Sequence, residues 1–163
     1  MEGFWLKLVS MKLAIILGCI LVLSSFADAR VRRSNAASQV LALINQARVS
    51  GVRCAGGGGV RLSALHSNNV LAVAARSHAG NMSRFGFVAH YFRGVGPRSR
   101  VVQAGYRFSR MSEIIFKGSN GAARAMRWWL HSPVHCRAIM NPYYRDFGAA
   151  VVGNAFVVEM AVR

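Results

Sequence analysis

The sequence predicts an α+β fold in which helices flank an antiparallel sheet. Three observations point there. Several segments carry apolar residues at helical spacing, the stretch from Phe147 to Val162 reads as two β-branched apolar runs joined by a turn, and no strand–helix–strand unit repeats. The chain has 163 residues, 53% of them hydrophobic, which is one domain's length with material for a sizeable core.

Residues 1–29 stand apart from that fold. Lys7 and Lys12 precede an apolar run from Leu13 to Leu23, and Ala27-Asp28-Ala29 has the small-x-small form of a signal-peptidase site. The expectation is a secretory signal cleaved after Ala29. The apolar core is short for a membrane span of ~20 residues, although Phe4 to Val9 could lengthen it into an uncleaved anchor. Residues 30–35 then form a basic arm without apolar pattern, and residues 36–163 are expected to form the folded domain.

The first helix is expected from Asn35 to Val49, with Val40, Leu41, Ile44 and Ala47 at helical spacing and Gly51 as its stop. Four consecutive glycines from Gly56 to Gly59 lack a following Lys-Ser or Lys-Thr, so Ala55–Gly59 reads as a flexible loop and not a phosphate cradle. From Ser67 to Phe85, Leu71, Ala74, Ala75, His78, Met82 and Phe85 share one helical face, with Ser67 or Asn68 available as N-cap. Loops around His90 lead to a short helix from Ser99 to Ala104, and Met111 to Phe116 reads as a strand. Ala122 to Leu130 is helical until Pro133 forbids regular continuation. The closing strands Phe147–Val152 and Phe156–Val162 turn through Gly153-Asn154.

Charge narrows the chemistry. Eighteen Arg and three Lys face five Asp and Glu, a formal charge of +16, which excludes an acid-rich calcium cage or a carboxylate-dense active site. Removing residues 1–29 leaves the net charge unchanged. The Arg are spread almost evenly from Arg30 to Arg163, the pattern of a solvated basic surface more than of a dedicated polyanion groove. Once Cys19 leaves with the signal, Cys54 and Cys136 remain, an even pair bound for an oxidising compartment. They are expected to be bridged, the alternative being two free buried thiols.

Five histidines and very few acids bound the candidate sites. His131 and His135 have the i, i+4 spacing of a helical metal pair, but Pro133 between them argues against a shared face. His78 falls on the apolar helix face as a core histidine, and His66 has no evident partner. Glu113 lies beside the apolar Ile114-Ile115-Phe116. It is either a buried carboxylate that needs hydrogen bonds or a cation, or an exposed acid paired with Arg110. Asp146 and Glu159 read as ordinary surface acids.

Five phrases then carry a resemblance. Phe85-Gly86-Phe87-Val88-Ala89-His90, Ala104-Gly105-Tyr106, Ser112-Glu113-Ile114-Ile115, Trp129 through Cys136, and Met140-Asn141-Pro142 resemble, in order, the bacterial branch of the CAP superfamily. That superfamily comprises cysteine-rich secretory, antigen 5 and pathogenesis-related proteins, and its domain is also called SCP-like. The likeness extends over nearly all of residues 36–163.

It implies a three-layer α-β-α sandwich with a central, mostly antiparallel sheet, and a cleft lined by His90, Glu113 and His135, with Ser132 or His131 where relatives place a second glutamate. It also implies that His90 and His135 can hold zinc or another divalent metal, with Glu113 as the candidate catalytic group. Two imidazoles alone make an open, under-filled site. The family's Gly-Glu-Asn is here Ser112-Glu113-Ile114, and its Ser-Pro-Gly-His is Ser132-Pro133-Val134-His135. The expected function is a secreted or periplasmic binding module for a small apolar or lipid-like ligand or an anionic envelope polymer. The alternatives are a metal-assisted peptide or ester hydrolase and a cationic binder of DNA, non-specific in sequence, or of anionic envelope polymers.

Overall fold

The computed structural model describes residues 36–55, 57–119 and 121–163. The expected signal sequence and basic arm therefore lie outside the described residues.

Helix α1 (residues 36–50) buries Val40, Ile44 and Ala47, and Gly51, at φ 73°, ends it in the left-handed conformation. Arg48 on the same face is fully buried. Its guanidinium donates to the carbonyls of Ser63, Ile139, Asn141 and Tyr144, tying α1 to three later segments of chain. A buried cation survives because its N–H groups are paired with carbonyl oxygens, whose dipoles meet its charge.

Part of the expected glycine loop is a small sheet, since β1 (Arg53–Cys54) pairs antiparallel with β2 (Gly57–Gly58). The main sheet has four strands in the order β3-β5-β6-β4. Strand β3 (His66–Ser67) runs parallel to β5 (Asp146–Val152). Strand β5 pairs antiparallel with β6 (Ala155–Val162), and β6 with β4 (Arg110–Lys117). The Gly153-Asn154 turn joins β5 and β6 as expected, with Gly153 at φ 58°.

Helix α2 (Asn69–Phe85) begins two residues later than Ser67, because Ser67 is held in β3 opposite Phe147; Asn68 caps it, its side chain accepting from the amides of Val70 and Leu71. Two prolines start helices at their first turn: Pro97 in α3 (Pro97–Gln103) and Pro133 in α5 (Pro133–Ile139). Between β4 and α5 lies α4 (Gly121–His131). None of the described helices is long and apolar enough to cross a membrane.

The central strand β6 sorts the layers. Phe156, Val158 and Met160 pack with α1, α4 and α5 residues such as Ile44, Met126, Trp129 and Ile139, whereas Val157 packs against Ala75, Ala79 and Met82 of α2. Ala161 on that second face meets Leu71, Val101 and Tyr106. Helices thus cover both faces of the sheet, a three-layer α-β-α sandwich. Helix α2 lies so close to β5 that a Cβ on Gly148 would sit 2.3 Å from the backbone of Leu71 and Ala72. A bridge between Cys54 and Cys136, with Cα atoms 5.7 Å apart, ties β1 to α5.

Candidate functional site

Strand β4 is an edge strand, and its C-terminal half forms one wall of the site. The loop after α2 forms a second wall, and α4 with α5 a third. Residues of all three surround a cavity of about 350 Å³, including Val88, His90, Phe116, Lys117, Trp128 and His135. Trp129 steadies the edge, its indole Nε1 donating to the Ile115 carbonyl at 2.9 Å.

His90 reaches the cavity from the loop that follows the Gly86 helix stop. Its Nδ1 donates to Glu113 Oε1 at 2.7 Å, which leaves Nε2 as the ring's open nitrogen. The other carboxylate oxygen, Oε2, accepts from Arg100 at 2.6 Å, and the same Arg100 nitrogen reaches the His90 carbonyl at 3.0 Å. The cation beside Glu113 is therefore Arg100 from α3. Arg110, its expected surface partner, instead lies 4.1 Å over the Tyr143 ring.

His135 enters from the first turn of α5. Its Nδ1 hydrogen-bonds Ser132 Oγ at 2.7 Å, and its ring sits 4.8 Å from that of Trp128. Burial lowers its pKa, and the nearby His90 adds to that, so the ring is neutral at neutral pH. Ser132 occupies the N-cap position of α5, but its hydroxyl serves the imidazole and makes no cap bond. His131, expected at the cleft, is exposed at the end of α4 with Nδ1 bonded to the Arg127 carbonyl, and it does not line the cavity. The proline that separates it from His135 starts a new helix, which breaks the i, i+4 relation.

Glu159, expected at the surface, is fully buried, and the strand register places it directly opposite Glu113 on the same sheet face. No N–H group or hydroxyl among the described residues reaches either of its oxygens. Its contact is the Glu113 carboxyl, and two carboxyls in hydrogen-bond contact need a proton between them. Burial, followed by the charge of Glu113, pushes Glu159 well above the usual carboxylate range. Burial would raise Glu113 as well, but hydrogen bonds from His90 and Glu159 and the Arg100 charge outweigh it and hold Glu113 low. Glu113 is thus the ionised member and Glu159 the neutral one. Glu159 on β6 brings a second carboxyl beside Glu113, at a position other than Ser132 or His131, the residues that the resemblance set in place of the relatives' second glutamate.

Among the described residues, the imidazole nitrogens at the cavity left free for a metal are Nε2 of His90 and Nε2 of His135. Among the described residues no third His, Cys, Asp or Glu converges with them, and both oxygens of Glu113 are engaged. Two imidazoles fit an exchangeable ion whose remaining positions are filled by water or ligand, not the three- or four-ligand set of a resident zinc.

Comparison with known proteins places the fold. A family model described as "Cysteine-rich secretory protein family" matches residues 41–159. No curated protein matches the sequence. Among solved structures, an extracellular SCP-domain protein from Bacillus anthracis superposes with a TM-score of 0.72 at 18% identity, over 80% of this chain and 41% of that one. The chain thus spans about two fifths of that relative. An outer surface protein from Borrelia burgdorferi gives 0.58 at 25% identity, over 63% of this chain and 80% of that one. The structure of NaASP2 with Zn2+ gives 0.51 at 15% identity, over 77% of each chain.

Proposed function

The chain belongs to the cysteine-rich secretory protein, or CAP, family, and on that premise we propose that it is an extracytoplasmic binding module whose β4-edge cavity takes a small ligand with an apolar body and an anionic head. The observation that carries the reading is the wall chemistry. Val88, Ile115, Phe116 and Trp128 form an apolar surface, and Lys117 with the open nitrogens of His90 and His135 supplies a few convergent polar groups. Glu113 acts here as a positioning residue. Its side chain is 1% exposed and both oxygens are committed, so it fixes the His90 ring and does not itself meet the ligand. Zinc, where present, would be held by His90 and His135 and would add a Lewis-acidic point for an oxygen of the ligand.

Titration with decanoate, followed by tryptophan fluorescence, tests the reading. Saturable binding is expected. Trp128→Ala should weaken it by roughly tenfold or more through lost apolar contact, and Lys117→Gln should weaken decanoate more than decanol. Absence of saturation, or binding untouched by both changes, would refute it.

One observation favours a second reading, a hydrolase. A buried carboxylate holding an imidazole is the usual way to orient a general base. Turnover of peptide or ester panels by the parent protein, lost in His90→Ala, would establish it. The basic surface supports a third, weaker activity toward nucleic acid or envelope polyanions, expected to fall steeply with salt.

A further inference from the structure

Residues 84–93, Arg-Phe-Gly-Phe-Val-Ala-His-Tyr-Phe-Arg, close α2 and form the loop behind it. Phe85, Phe87, Tyr91 and Phe92 make this stretch far richer in aromatic residues than the chain, which is 10% aromatic. Much of that apolar surface faces solvent, with Phe85 49%, Val88 57% and Tyr91 66% exposed. Phe85 shares a helical face in sequence with Leu71, Ala74, Ala75, His78 and Met82, all of which are buried, yet it alone of that set is left outside. Single exposed apolar side chains are ordinary, but three so close together form a patch that calls for a partner.

The patch is held in place before any partner arrives. Phe92 stacks on Phe85 at 5.0 Å and on Phe87 at 5.1 Å. The amide and carbonyl of Phe92 pair with those of Val95, closing a two-residue turn through Arg93 and Gly94, both at positive φ. That turn imposes the strained backbone of Arg93 and fixes its side chain at the tip. Cations edge the rings: the Arg84 guanidinium lies 5.4 Å from the Phe85 ring centre, and that of Arg93 lies 5.3 Å from Phe92 and 5.8 Å from Phe85. Neither has a carboxylate partner among the described residues, whose ion pairs both involve Glu113. Glu113 meets the stretch at His90, but it is buried and its charge is met by Arg100. Lys117 adds a further cation, its Nζ 4.0 Å from where a Cβ on Gly86 would stand. The stretch holds no Asp, Glu, Asn, Gln, Ser or Thr, the side-chain acceptors that register a specific protein interface. Exposed rings edged by cations of one sign are instead the complement of an anionic lipid surface, where rings enter the headgroup–acyl boundary and guanidinium groups stay with the phosphates.

We propose that residues 84–93 dock the protein on the surface of an anionic lipid bilayer, with Phe85, Val88 and Tyr91 entering the boundary layer and Arg84 and Arg93 on lipid phosphates. Val88, Ala89 and His90 of the same stretch wall the β4-edge cavity, so docking brings that cavity to the bilayer. The docking does not require the cavity to bind an acyl ligand, and decanoate titration in solution reports on the cavity alone.

Hydrogen exchange of the full chain is measured with vesicles of phosphatidylcholine alone and of phosphatidylcholine mixed equally with phosphatidylglycerol. The anionic vesicles should slow the amides of residues 85–93 and the neutral ones should not, while residues 104–109, at the other end of β4, keep their rates. In cosedimentation with the anionic vesicles, Phe85→Ser combined with Tyr91→Ser should weaken binding roughly tenfold or more. Arg84→Gln and Arg93→Gln should each weaken it by about fivefold. None of these residues lines the β4-edge cavity, so decanoate binding in solution should match the parent. Protection of residues 4–23 in place of the loop would assign the contact to the N-terminal segment, and anionic binding that survives all the loop changes would be a general attraction of a chain of charge +16. Either result, or equal protection of the loop by neutral vesicles, overturns the proposal.

Discussion

Glu159 decides how the acid pair responds to pH. Its folded pKa is raised by burial and by the charge of Glu113. Its contribution to stability is therefore full below the unfolded value, about 4.3, and is lost as pH rises toward the folded value. Glu159→Gln removes that slope. The variant should gain on the parent in thermal midpoint progressively from pH 4.5 to pH 8, and a constant offset across that range would show that Glu159 is not the neutral member. Glu113 has the opposite sign. Its lowered pKa contributes stability above the unfolded value that disappears on acidification, and Glu113→Ala, which strands Arg100, should cost about 3 to 5 kcal/mol in urea unfolding at pH 7. The cavity residues His90 and His135, with Glu113 behind His90, were legible through the family phrases around them. Glu159 was not, because a central strand buried on both faces shows no alternation, so a lone acid near its end reads as surface until register sets it against Glu113.

At the scale of elements, the long helices and the closing hairpin follow from periodicity and from Gly-Asn chemistry, which need no tertiary information. The two-residue strands β1, β2 and β3 carry too few residues for any pattern, and exist because partners elsewhere in the chain present edges to them. His66, without an evident partner in sequence, is placed by such an edge opposite Asp146. The contact between α2 and β5 depends on Gly148. Because an added Cβ would fall 2.3 Å from helix backbone, which cannot rotate aside, Gly148→Ala should destabilise by more than about 3 kcal/mol. A thermal midpoint within a few degrees of the parent would show that the helix can lift without penalty.

Across the whole molecule, the disulfide and the cavity are linked through α5. Cys136 directly follows His135, and its bridge to Cys54 spans 82 residues, a closure worth roughly 4 to 5 kcal/mol in the chain-entropy model. Cys54→Ala paired with Cys136→Ala should lower stability by that order. In the protein still folded, it should also weaken zinc binding at His90 and His135, by freeing the turn that holds one ring; unchanged zinc titration would separate bridge from site. The most direct test of the β4-edge cavity as the ligand site follows all five imidazoles while decanoate is added. His90 and His135 should shift together and saturate at one midpoint, with the exposed His66 and His131 unmoved. A response led by His131, or none at His90 and His135, would contradict the account.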